Sequence, residues 1–119
     1  MKKVEREIVQ ALISKTRKGK IDWNYAHKSN YNIDYESDIF TLHHQATAID
    51  DYYEIIKGYL VHKSSGLSIS ETSQINYANP NDIPILLQLE REIINHINDS
   101  TNESLETTYN NILTEIEEI

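Results

Sequence analysis

A chain of 119 residues with 39% hydrophobic and 25% charged residues, three Gly and two Pro has the composition of one compact domain, which excludes disordered, collagen-like and linker classes. It has no Cys, which removes disulfides, thiolate metal sites and Cys nucleophiles and agrees with a cytoplasmic location; no apolar run approaches the roughly 18 to 20 residues of a membrane span, and no apolar segment follows the charged start, so neither membrane insertion nor a cleaved secretion signal is expected. The net charge of −8 is unevenly spread: residues 1–20 carry +5 and residues 21–119 carry −13, with no Lys or Arg after Arg91, a distribution that disfavours direct nucleic-acid binding and favours a protein partner with a basic surface.

The spacing of Val4, Ile8, Ala11 and Leu12 predicts a helix over about residues 2–18, with Lys15, Arg17 and Lys18 in its last turn and Gly19 at a left-handed C-cap. Ile21, Trp23 and Tyr25 alternate with polar residues as in a half-buried strand, whereas 27–37 reads either as loop or as a further strand. From Asp38 to His44 a strand places Phe40, Leu42 and His44 on one face and Ile39, Thr41 and His43 on the other. Tyr52–Lys63 is the longest strand candidate, interrupted by Gly58, which implies a bulge or a close backbone approach. Ser64-Ser65-Gly66 forms a hairpin turn into a short strand carrying Leu67 and Ile69.

After a polar connection, Asn81 or Asp82 caps a helix with Pro84 in its first turn and a wide apolar stripe from Ile83 to Ile97. The polar run Asn98-Asp99-Ser100-Thr101 ends that stripe. Ser100 and Glu103 have capping-box spacing and start a last helix with Leu105, Tyr109, Ile112, Leu113 and Ile116 on one face. The expected architecture is a single α+β domain over residues 1–119: an N-terminal helix, an antiparallel β-meander of about four strands and two C-terminal helices.

No catalytic spacing accompanies this pattern. His43 and His44 are adjacent on a strand and point to opposite faces, so they do not share one ion, and His96 stands alone on its helix; no metal or other cofactor is expected. A hairpin closed through Ala46–Asp51 would set His44 near Tyr53, Leu42 near Ile55 and His62 near Ser68. Lys15-Thr16-Arg17-Lys18-Gly19-Lys20 lacks the strand-to-helix setting of a phosphate loop and reads as charge complementing a helix C-terminus. The serines sit in no nucleophile elbow, and the acid pairs Asp50-Asp51 and Glu117-Glu118 read as solvated neighbours.

Eight of the ten aromatic residues are Tyr, most of them in the strand region, and Tyr joins large contact area to a polar tip. The sequence therefore points to a non-enzymatic binding or inhibitor protein that occupies a partner surface, in the manner of anti-defence, immunity or nucleic-acid-mimic proteins. Its partner-binding candidates are Tyr52, Tyr53, Tyr59, Glu103 and Glu106. An alternative is an oligomeric binder that sequesters a nucleotide-like signalling molecule with Lys15, Arg17, Lys18 and Trp23. The apolar breadth of the C-terminal segments predicts a homo-oligomer whose contact uses Leu89, Ile93 or Ile97 together with Tyr109, Ile112 or Ile116.

The helix ending Lys15 to Lys20, the following Ile21-Asp22-Trp23, the meander with its Gly66 turn and the Leu-rich helix after Pro84 resemble small uncharacterised proteins of low-GC bacteria and their phages, over residues 8–97. That resemblance implies a phage or mobile-element setting, names no activity and carries over no functional residue.

Overall fold

The computed structural model describes residues 1–50, 53–76 and 83–119. Its elements are α1 (Lys3–Arg17), β1 (Asn24–Lys28), β2 (Asn32–Glu36), β3 (Phe40–Ala48), β4 (Tyr53–His62), β5 (Ser68–Asn76) and α2 (Ile85–Glu117). The five strands form one antiparallel sheet in the order β1-β2-β3-β4-β5, a simple meander, with α2 laid across β4 and α1 packed on α2.

The α+β architecture and the N-terminal helix agree with the sequence reading, and four details differ. The sheet has five strands because 32–36 is a true strand, paired through Tyr35↔Leu42 and Ile33↔His44 to β3. Ile21 and Trp23 precede β1 instead of lying within it. The hairpin between β3 and β4 is also longer in its strands than expected: β3 continues to Ala48, so His44 faces Gly58 and Leu42 faces Leu60, not Tyr53 and Ile55. His62 pairs with Phe40 and donates its backbone N–H to Leu67, while Val61 takes the place opposite Ser68.

The fourth difference is the end of the chain, where one 33-residue helix replaces two. Asn, Asp, Ser and Thr each weaken an exposed helix by only about 0.5 kcal/mol, too little to break one that is already nucleated. Thr101 bonds its hydroxyl back to the Ile97 carbonyl at 2.9 Å, so this polar patch runs as regular helix and Ser100 forms no cap. Asn81 and Asp82, the proposed cap of this helix, lie outside the described residues. Pro84 holds the N-cap position, and the carboxylate of Glu71 on β5 accepts the Leu86 N–H at 3.0 Å, satisfying a first-turn donor from across the sheet.

The core joins the helices to one face of the sheet through Val9, Leu12, Trp23, Tyr35, Leu42, Leu60, Ile69, Leu86, Leu89 and Ile93. The buried side of α1 is rotated from the expected one: Val9, Leu12 and Thr16 point inward, whereas Val4 and Ala11 are exposed. Thr16 belongs there because its hydroxyl accepts the Trp23 indole N–H at 3.0 Å inside the core. Gly19, at φ 69°, ends α1, and the Lys20 N–H returns to the Lys15 carbonyl at 2.9 Å. Gly58 marks a close approach and no bulge: the register runs unbroken past it, and a Cβ there would stand 3.0 Å from Leu86 Cδ1.

Leu89 and Ile93, expected at a subunit contact, are fully buried within the chain's own core. Both lie on the sheet-facing side of α2, so neither is free to meet another subunit. Beyond Ile97 every residue of α2 is exposed, and the helix projects from the body as an arm. The resulting extents are 60 × 38 × 24 Å, and the radius of gyration of 17.7 Å exceeds the value of about 13.5 Å for a compact chain of this length.

Candidate functional site

Three places concentrate polar or aromatic side chains. The first is the sheet face turned away from the helices. Because β4 pairs on both sides, its odd-numbered residues Tyr53, Ile55, Lys57, Tyr59 and Val61 form the centre of that face. Tyr59 stands between His43 on β3 and Ser70 on β5, and Val61 between Thr41 and Ser68. His43 Nδ1 lies 2.9 Å from Asp34 Oδ1 on the neighbouring strand, which fixes the imidazole on the same surface. A half-solvated antiparallel strand normally alternates apolar and polar residues; the outer face of β4 departs from this, with Lys57 as its one charged residue among Tyr53, Ile55, Tyr59 and Val61, and so has the composition of a surface to be covered.

Tyr53 and Tyr59 thus share one exposed sheet face, while Tyr52 lies outside the described residues. Glu103 and Glu106 are on the projecting arm of α2, a separate surface. The two groups of partner-binding candidates do not form one site. Ile55, Val61 and His43 belong to the sheet face and escaped the sequence reading. Their signal was present in β4, where Tyr53, Ile55, Tyr59 and Val61 fill four of the five outward positions.

The second place is an open cleft of about 440 Å³ between the end of α1 and the middle of α2, lined by Thr16, Arg17, Lys18, Asp22, Glu92, His96, Asp99 and Glu103 among others. Arg17 is committed there: its Nε and one terminal nitrogen donate to Glu92 Oε1 at 3.2 and 2.9 Å. Trp23 is only 2% exposed and offers no free ring face. Lys15 lies exposed in the last turn of α1 and does not line this cleft. Four carboxylates against two cations make the cleft unfavourable to an anionic ligand. The alternative ligand residues are therefore near one another in sequence without converging on a phosphate-sized site.

The third place is a buried polar cluster where α2 crosses the sheet. His44 Nδ1 lies 2.8 Å from Glu90 Oε2, with both side chains largely buried. The separation is short but poorly aligned for hydrogen bonding, and neither that Glu90 oxygen nor the fully buried Tyr35 hydroxyl has a well-formed hydrogen bond. The adjoining cavity is about 10 Å³, room for no more than a water molecule, so no substrate reaches this cluster.

Burial, reinforced by the neighbouring Glu90 carboxylate, pushes the Tyr35 phenol far above its usual range. A raised folded-state value means that the neutral phenol's contribution to stability is complete below the unfolded tyrosine value of about 10 and is lost as pH rises above it, at about 1.4 kcal/mol per pH unit. Tyr35→Phe removes this ionisation together with an ill-satisfied hydroxyl. Urea unfolding between pH 9 and 11.5 should therefore show the wild type losing stability more steeply than Tyr35→Phe. Parallel curves would sink the assignment.

Among the described residues no three metal-ligating side chains converge, and no helix is long and apolar enough to cross a membrane. No protein-family model matches the chain, and no curated protein or solved structure is significantly similar to it.

Proposed function

We propose that this is a non-enzymatic binding protein that acts by covering the surface of another protein, with the helix-free face of the sheet as its recognition surface. The observation that supports the reading is the outer face of β4, where Tyr53, Ile55, Tyr59 and Val61 lie in one row with Lys57 near the middle of a five-stranded sheet and no described helix or strand lies over them. Tyr-rich, weakly charged patches of this kind form the centres of protein interfaces, with polar residues such as Thr41, Ser70 and Thr72 as their rim. An inhibitor of anti-defence or immunity type, in a phage or mobile-element setting, fits a small chain that works by occupancy alone. The nucleotide-sequestering alternative has less support, because Arg17 is held by Glu92 and Trp23 is inside the core.

The test is affinity capture from a host extract with wild type and Tyr59→Asp, at two salt concentrations, beside a turnover assay on nucleotides, esters and phosphodiesters. A discrete partner that Tyr59→Asp binds at least tenfold more weakly, with an unchanged circular dichroism spectrum, is expected. Equal capture by both proteins would remove the sheet face from the proposal. Turnover abolished by a single substitution would overturn the non-enzymatic reading.

A further inference from the structure

The projecting half of α2 has an apolar row that faces away from its own body. Leu105, Tyr109, Ile112 and Ile116, with Ile119 just past the helix end, follow one another in steps of four and three, the seam spacing of a coiled coil, and are 47 to 105% exposed. At 100° per residue this row is rotated by about 140° from the side of α2 that carries Leu89 and Ile93 into the core. The sheet and α1 cover the remaining sides of the helix's first half, α1 through the Arg17–Glu92 pair. No described element of its own subunit covers the outward row.

The row also continues toward the start of the helix. Leu87 and Ile94 are half-buried, Ile94 packing in part on the core, and Arg91 is exposed; by helical angle all three fall on the outward side, so that with Asn98 and Thr101 between Ile94 and Leu105 one seam of about 50 Å, polar at its middle, runs along α2. Its two halves differ in charge. Residues 98–119 hold six acids and no Lys or Arg, whereas the first half carries Arg91 at the surface, its neighbours Glu90 and Glu92 being respectively buried under the helix and held by Arg17.

We infer that α2 pairs with the α2 of a second copy of this chain, antiparallel, along this outward seam. With residue 87 of one helix beside residue 119 of the other, Ile94 meets Ile112 and Arg91 meets the turn from Glu115 to Glu118. The helix dipoles oppose, and each acidic arm lies beside the half of its neighbour that carries Arg91. A parallel pair would set Arg91 against Arg91 and crowd the acidic ends together. The exposed apolar side chains of the arm alone present about 700 Å² per copy at typical side-chain areas, and the Leu87–Ile94 segment brings this to the roughly 800 Å² per partner of a stable interface. The two bodies lie on the outer flanks of the helix pair, leaving both sheet faces free, so this contact and the proposed partner surface are independent.

Light scattering and analytical ultracentrifugation of the whole chain at 1 to 200 micromolar test the pairing, as do single-Cys variants oxidised in air. A dimer is expected, weakened at least tenfold by Ile112→Glu and by Arg91→Glu with helicity retained, and recovered from Arg91→Glu by the added exchange Glu115→Arg. Asn102→Cys, near the two-fold axis, should form a disulfide-linked dimer, and Ile116→Cys should not. A monomer mass throughout the range would overturn the inference, as would a dimer indifferent to Ile112→Glu. Efficient cross-linking through Ile116→Cys, the mark of parallel helices, would overturn the antiparallel arrangement.

Discussion

Leu89→Ala is expected to lower the unfolding free energy by about 3 to 5 kcal/mol, a large share of the 5 to 15 kcal/mol that holds a typical domain together. Leu89 has no exposed surface and belongs to the cluster in which α1, α2 and the sheet all meet. Its truncation leaves a void that three elements would have to move together to close, so relaxation recovers little of the loss. Ile116→Ala supplies the contrast. Ile116 is of similar volume and lies on the same helix, but it is exposed within its own subunit, and under dilute monomeric conditions its truncation should cost less than about 0.5 kcal/mol. Urea unfolding of the two variants checks the pair of values. A loss below about 1 kcal/mol for Leu89→Ala would mean that the packing of α2 against the sheet is wrongly described.

Removing the two members of the buried His44–Glu90 contact should have opposite consequences. His44→Ala takes away the nitrogen that lies 2.8 Å from Glu90 Oε2 and leaves a buried carboxyl group under α2 without that neighbour. A loss of about 3 kcal/mol is expected, in the range for breaking one side of a buried pair. Glu90→Leu removes the carboxyl group and fills its space with carbon among Leu42, Leu86 and Ile56, so stability should be unchanged or higher by about 1 kcal/mol. The double variant His44→Ala with Glu90→Leu should regain most of what the first substitution costs. Equal losses from both single variants, measured as shifts of the urea midpoint, would refute the contact as an energetically coupled pair.

Elements whose residues repeat with a clear period were legible in the sequence: α1, the strand around Leu42, the long strand with Gly58, and the Gly19 and Gly66 turns. The capping-box pattern at Ser100 misled because capping chemistry and helix interior differ by little when the segment is exposed, and only the uninterrupted geometry of α2 decides between them. The register of β3 with β4 was missed by the length of their turn, since Ala46, Thr47 and Ala48 look like connection residues and act as strand. The full burial of Tyr35 could not be told from its place in the Tyr-rich strand region, because it depends on the crossing of α2, a contact between residues far apart in the chain. Of the candidate sites, the apolar row on the arm could be read directly, whereas the shared face of Tyr53 and Tyr59 required the sheet order. Nothing in the local spacing of Lys15, Arg17 and Lys18 could announce that Glu92, 75 positions after Arg17, occupies the guanidinium.

The chain has one tryptophan, and that residue is the link between α1 and the sheet, its indole N–H held by Thr16 at 3.0 Å in a nearly dry setting. Indole emission moves to the red when water reaches the ring, so the intrinsic fluorescence of the unlabelled protein reports on a single event, the lifting of the first helix from its seat. Circular dichroism at 222 nm is instead dominated by the 33-residue α2. The two signals follow different parts of the molecule without any label, and their coincidence or separation during denaturation tells whether the first helix leaves before the rest or with it.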